Sequence, residues 1–293
     1  MIGARAKQGG EVVTWICAAL LVVWFLGMCA AAALPGTALG AAGAGLLALA
    51  LLLFVILHAG QTYGWRGAAA FLLLSYVVSF GFEAMSVATG FPFGFYVHHS
   101  PGPRLFDIPF IVPLGYVVYG WFAWVAACLI VRNDPADDSG LARFGTPLVA
   151  TFVLAGWDYA FDATGAVVAH THTYTHPSGL MGVPLVNFFG WLLTGWVAFQ
   201  LFALLEARFR RTPALSRTAH WIMPCLVWLL APVTYFIQFA NAPAGTTTTG
   251  GRTFVIADVY EAAAAISLIS MVLPAIVAIL RFFAARQRVR SSL

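Results

Sequence analysis

The sequence predicts an all-α protein, a polytopic helical bundle that crosses the membrane about eight times with both termini on the cytoplasmic side. Three observations carry this: composition, the length of the apolar runs, and the distribution of arginine and lysine. Hydrophobic residues make up 61% of the chain and charged residues 9%, and mean hydropathy is +0.87, whereas a soluble domain carries roughly 25% charged residues. Apolar runs of about 20 residues, each long enough to cross the hydrocarbon layer, fill nearly all of the 293 residues. A single transmembrane domain over 1–293 is expected, with its functional core over 67–206, in a multi-pass cell-membrane protein.

Taken in order, a short basic tail with Arg5 and Lys7 precedes a first span over 12–34, too long for a signal-peptide core. Pro35 and Gly36 turn the chain into a second span over 38–57, and 58–66 is read as a loop. The third span, 67–89, carries Glu83, and the loop over 90–108 holds His98, His99, Arg104 and Asp107 among Gly, Pro and aromatic residues. A fourth span over 109–131 leads into a polar linker rich in Asp and Ser, the composition of a solvated loop. The fifth span, 146–165, contains Asp158 and Asp162, and the sixth covers 184–206. The seventh, 219–240, contains Pro224 and Pro232, both expected to bend it. A flexible turn region with four threonines follows, and the last span, 253–283, opens with Asp258 and Glu261.

Placed alternately across the bilayer, these spans collect Arg5, Lys7, Arg66, Arg132, Arg143, Arg208, Arg210, Arg211, Arg217, Arg281, Arg286, Arg288 and Arg290 on the side of the N-terminus, and only Arg104 and Arg252 opposite. The positive-inside rule puts the first side in the cytoplasm. The net charge of +4 is explained by this topology, and no nucleic-acid partner is expected. Cys17, Cys29, Cys128 and Cys225 fall inside spans without ligand spacing and read as packing residues.

The same topology puts Glu83, Asp158, Asp162, Asp258 and Glu261 in the outer half of the membrane, beside the outer histidines. Asp158 and Asp162 are four apart, so a helix presents both carboxyl groups on one face. Intramembrane acids are costly and mark functional sites by default, although some only pair with a polar neighbour, and Asp258 and Glu261 suit a helix N-terminus electrostatically. His58 and His220 are read as interfacial residues on the cytoplasmic side.

No cofactor is expected: there is no phosphate-binding loop, no dinucleotide fingerprint and no nucleophile elbow. No metal is expected either. If one were bound, His170, His172 and His176 would be its ligands, since His172 and His176 stand at helical i, i+4 spacing; the intervening Thr-Tyr-Thr and the following Pro-Ser-Gly argue against a regular helix there. A weak internal similarity links Val112-Pro-Leu leading to Gly120-Trp121 with Val183-Pro-Leu leading to Gly190-Trp191, each opening a span after an acid-bearing helix and a His-containing loop.

Glu83 followed by Gly90-Phe-Pro-Phe-Gly-Phe-Tyr96, then Pro109 to Pro113, Trp157-Asp158 with Asp162, and Gly182-Val-Pro-Leu-Val-Asn187-Phe-Phe-Gly190-Trp191 resemble, in this order, the carotenoid biosynthesis membrane proteins, best known for the carotenoid 1',2'-hydratases. The resemblance covers about residues 70–200. Ala163 stands where the family pattern has Pro, and His170-Thr-His172 where Trp-rich sequence is usual. The resemblance implies cofactor-independent hydration of the terminal double bond of a linear carotenoid, a lipophilic substrate met within the bilayer.

The residues suit that chemistry. Water adds to a trisubstituted alkene only after a strong acid protonates the less substituted carbon to leave a tertiary cation. An apolar pocket favours the neutral, proton-bearing form of a carboxyl group, which can then act as a general acid. Asp158 is the expected acid, with Asp162 and Glu83 tuning it or orienting water, and Asn187 also available to orient water. Trp157, Tyr159, Phe161, Tyr96 and Trp191 are the expected substrate-binding rings, their π faces suited to a cation. A cyclase or dehydratase on an isoprenoid or polyketide would use the same carboxyl groups. A transporter also carries intramembrane acids, but needs a polar route from both sides, and the cytoplasmic halves of the spans read as almost free of polar residues.

Overall fold

The computed structural model describes residues 2–132, 134, 137–209 and 217–291, with side chains described from residue 10 to residue 288. Arg5, Lys7, Arg210, Arg211 and Arg290 of the predicted cytoplasmic set lie outside the described side chains. Helix α1 (Ile2–Ala33) ends at a turn containing Gly36, at φ 76°, and Thr37 caps helix α2 (Ala38–Thr89) by accepting from the Gly40 N–H at 3.1 Å. Glycines 27 and 43 let α1 and α2 approach backbone to backbone: a Cβ on Gly27 would stand 2.8 Å from the Gly43 carbonyl oxygen. Small residues serve this purpose between membrane helices.

The 52 residues of α2 contain one non-helical position, Gly64 at φ 69°, ψ 168°. A straight helix would separate Leu47 from Glu83 by about 54 Å. Both nevertheless line cavities walled by Trp157 and Phe161, so Gly64 folds the helix back and its arms, 38–63 and 65–89, lie side by side. The loop expected over 58–66 is therefore corrected to a turn at one residue, made possible by a conformation that glycine adopts readily.

The arm over 65–89, α3 (Val112–Val131), α4 (Gly140–Ala163) and α5 (Leu185–Glu206) form the core, α2 packing on α3 and α5, and α4 on the same two. α6 (Thr218–Leu230) and α7 (Val233–Ala240) meet at Pro232, so one of the two prolines expected to bend the span interrupts it, and Pro224 lies inside α6. α8 (Ile256–Ser267) runs through a π-helical turn, Leu268–Val272, into α9 (Leu273–Ser291). At that turn Gly156 of α4 comes so close that a Cβ would lie 2.7 Å from the Ser270 carbonyl oxygen.

Among the described residues, six helices are long and apolar enough to cross a membrane: Gly10–Ala33, Ala38–Thr89, Val112–Val131, Leu185–Glu206, Thr218–Ala240 and Ile256–Arg288. The fold is mainly helical, and the loops between helices add short two-stranded ribbons. β1 (Tyr96–His98) pairs antiparallel with β4 (His172–Tyr174), and β2 (Arg104–Leu105) with β3 (Ile108–Pro109). The threonine-rich region expected to be a flexible turn is a hairpin, β5 (Thr246–Thr249) and β6 (Arg252–Val255). Its turn, Gly250 and Gly251, has both residues at positive φ, as a tight hairpin favours.

A further correction concerns the end of the bundle predicted to be cytoplasmic. Glu206 accepts two bonds from Arg132 at 2.7 Å each and one from the Tyr63 hydroxyl at 2.7 Å, and Trp124 donates to Tyr63. His58 and His220, expected at the interface, are buried and stacked 3.9 Å apart, with Trp121 donating to His58 and the His58 Nε2–H to the His220 carbonyl. That half of the bundle thus holds a buried polar layer. Fully buried Phe71, Trp121 and Phe199 cover it on the side of Glu83, Asp158 and Asp162, Phe71 lying about 18 Å along its helix from Glu83.

Candidate functional site: three acids around one cavity

Asp158 and Asp162 occupy successive turns at the end of α4, both buried. The helix then widens into a π-helical turn, Thr164–Val168, a local insertion often found at functional sites. The chain returns as β4, held at its start by the Thr171 N–H donating to the Gly165 carbonyl at 3.0 Å. Side chains two apart on a strand share a face, so His172 and Tyr174 both turn toward α4. The His172 Nε2–H donates to Asp162 Oδ1 at 2.6 Å and the Tyr174 hydroxyl to Oδ2 at 2.6 Å.

Glu83 receives the same pair of donors from β1. The Tyr96 hydroxyl and the His98 Nε2–H, the latter at 3.2 Å, both reach Glu83 Oε2. The ribbon register sets Tyr96 opposite Tyr174 and His98 opposite His172, so one ribbon face presents two tyrosines and two histidines to two acids on different helices. Arg104 braces the chain after β1 by donating to the carbonyls of His98 and Ser100 at 2.9 and 2.7 Å.

Asn187, in the first turn of α5, joins the paired acids: its amide donates to Asp158 Oδ2 at 2.9 Å and to Asp162 Oδ2 at 3.0 Å. α5 comes near enough because Gly190 has no side chain; a Cβ there would overlap the buried Phe93 ring. Asp162 therefore accepts from three side chains and Asp158 from one, so Asp158 keeps the greater freedom to carry a proton. Burial lowers the proton affinity of His172, but the Asp162 carboxylate and its hydrogen bond outweigh burial and raise the His172 pKa above 6.5.

The three acids open onto a cavity of about 240 Å³. Asn187, Tyr96, Trp157, Phe161 and Trp191 line it as well. Trp157 lies against Phe161, centroids 4.5 Å apart, and Trp191 against Tyr116, 4.0 Å apart and 11° from parallel. The structure thus brings together Glu83, Asp158, Asp162, Asn187, Tyr96, Trp157, Phe161 and Trp191. Tyr159 stands elsewhere, stacked on Phe188 at 3.9 Å outside the cavity lining. Asp258 and Glu261 are exposed on α8.

The histidines of the segment around β4, His170, His172 and His176, do not act as a set. His172 is committed to Asp162, His170 shares a 3.3 Å hydrogen bond with Thr247, and His176 lines a separate surface cavity beside Phe91 and Pro184. Among the described residues no group of three or more His, Cys, Asp or Glu side chains converges as metal ligands. Sequence reasoning missed His98, Tyr174 and Tyr116 as site residues. The signal for the first two is the Tyr-x-His and His-x-Tyr alternation, 10 to 15 residues after an acid.

The family model of the carotenoid biosynthesis proteins matches residues 40–257. Bisanhydrobacterioruberin hydratase of Haloarcula japonica is 34% identical over 139 residues. That match spans 47% of this chain and 45% of the hydratase, so less than half the length of the relative is covered. No solved structure matches significantly.

Proposed function

The chain belongs to the carotenoid biosynthesis protein family, and from that premise we propose that it hydrates the terminal double bond of a linear carotenoid or related isoprenoid by carboxyl acid catalysis, as a hydro-lyase without a cofactor. The observation that carries this reading is the Asn187-bridged pair Asp158 and Asp162, facing Glu83 across an aromatic-walled cavity. In this reading the acids lie in the outer half of the bilayer, the eight crossings being the six long helices with the arms of α2 counted separately and α4 included. Both termini are cytoplasmic.

Asp158 is the acid, because Asp162 is occupied by three donors. Its proton goes to the less substituted alkene carbon, and the tertiary cation forms in the cavity lined by Trp157, Phe161 and Trp191, where aromatic walls favour a cation. Water then forms the C–O bond and gives a proton back to a carboxylate, so the acid is restored. Access from one side suffices, which fits the buried aromatic layer of Phe71, Trp121 and Phe199 between the acids and the polar groups at the other end. That layer disfavours a transport route through the bundle.

The test uses membranes containing the protein and a linear carotenoid with a terminal trisubstituted double bond, in heavy-oxygen water. The new hydroxyl should carry the label. Label from oxygen gas would replace this reading with an oxygenase, and an unlabelled isomer would replace it with a cyclase.

A further inference from the structure

We propose that the cavity contains a bound-water site at the Tyr116 hydroxyl, and that Tyr116 is the catalytic residue that holds the water added to the substrate. The inference rests on the hydration reading above and adds the source of the nucleophile to it.

Tyr116 is 3% exposed, and its hydroxyl has no hydrogen-bond partner among the described residues. Buried hydroxyls are nearly always bonded, and an exception calls for an explanation. Here the hydroxyl belongs to a ring that lines the cavity of Glu83 and Asp158. The ring cannot readily turn away, since it lies flat on Trp191 at 4.0 Å with Phe93 on another side, 6.5 Å between centroids.

The other two cavity tyrosines are spoken for: Tyr96 donates to Glu83 and Tyr174 to Asp162. Tyr116 is left as the cavity tyrosine with a free donor and acceptor, beside carboxyl groups that can accept from its ligand. A ligand that fits must be small and both give and take hydrogen bonds. Water does so, and the cavity of about 240 Å³ has room for it beside an end group, one water taking about 30 Å³.

The balance of the step follows. Asp158 loses its proton to the alkene carbon, a C–H bond forms and the π bond is consumed. The water held by the Tyr116 hydroxyl donates a lone pair to the tertiary carbon, and its surplus proton passes to the Asp158 carboxylate. The phenol is unchanged at the end.

Tyr116→Phe removes the hydroxyl and keeps the ring. Assayed as the full-length protein in heavy-oxygen, deuterated water, it should form hydrated product about 100-fold more slowly, the loss typical of one positioned hydrogen bond. Protonation should survive, so recovered alkene should still gain deuterium or appear as an isomer. The melting temperature should not move, because no protein partner is lost. Hydration at the wild-type rate overturns the proposal, as does joint loss of hydration and deuterium uptake, or loss of the folded state. A wild-type protein that incorporates neither label overturns the hydration reading itself, a result distinguishable from failure of Tyr116→Phe alone.

Discussion

Tyr96 and Tyr174 face each other across the β1–β4 ribbon, yet each gives its hydroxyl to a different acid, Glu83 on α2 and Asp162 on α4. His98 and His172 repeat the arrangement one pleat further on. The ribbon is therefore a brace between two acid-bearing helices, and the cavity between them depends on six residues of paired backbone. Each half of the arrangement has an acid on a helix, a strand carrying Tyr and His, and a following helix entered through Val-Pro-Leu, which gives physical content to the internal similarity in the sequence.

The first prediction concerns that brace. Tyr174→Phe and Tyr96→Phe each remove a hydroxyl donor to a buried acid, a bond worth about 1.5–3 kcal/mol when one partner is charged. Both variants should unfold earlier in denaturant by an amount of that order. Val97→Thr, at the exposed central position of β1, should change stability by less than about 0.5 kcal/mol. Equal stability of all three variants would show that the ribbon does not hold the acids.

Much of this architecture was legible because membrane helices declare themselves locally, by run length and by charge at their ends. Asp158, Asp162 and Asn187 were legible for a similar reason: polar groups stand out in apolar sequence, and four-residue spacing fixes a shared helix face. The ribbon was not, since three-residue strands have too few positions to show a period, and β1 finds β4 more than 70 residues away. The same holds for Arg132 and Glu206, each at a helix end where a basic or acidic residue reads as solvated, but joined across 74 residues in a buried pair. Gly64 was hidden because a single positive-φ residue leaves no compositional mark among 28 glycines.

The second prediction follows from His172. Its folded-state pKa is raised by Asp162 against the opposing effect of burial, so its contribution to stability is fully present below the ordinary histidine value of about 6.5 and is lost as pH rises through the raised value. The melting temperature should fall as pH rises above about 6.5 in the wild type and fall less in His172→Gln. Identical pH profiles would show that the His172–Asp162 pair does not titrate in this range.

The third prediction is the topology. Ser178 is exposed in the segment after β4, and Ser139 is exposed at the start of α4, at the other end of the bundle. With both termini cytoplasmic, a Ser178→Cys variant should react with an impermeant thiol reagent on intact cells, and Ser139→Cys only after the cells are opened. Cys17, Cys128 and Cys225 are buried and should add little background, and the half-buried Cys29 is replaced by Ala in both variants. The reverse labelling pattern would place the acids in the cytoplasmic leaflet.

The last prediction separates the acids by the bonds they make. Asp158 accepts one side-chain bond, from Asn187, so Asp158→Asn takes away a proton donor with little structural loss. The protein should insert and fold, while conversion should fall by about 100-fold to 10,000-fold, the range for lost general acid catalysis. Asp162→Asn disturbs three bonds at once, from His172, Tyr174 and Asn187, and should lower both stability and turnover. Glu83→Gln, which keeps a carbonyl acceptor for Tyr96 and His98, should reduce turnover more than stability. Asp134→Asn, at the far end of the bundle, should leave conversion unchanged. Turnover and melting temperature measured together on these four variants decide the assignment: if Asp158→Asn keeps wild-type conversion while Glu83→Gln abolishes it in a folded protein, the proton comes from α2 rather than α4.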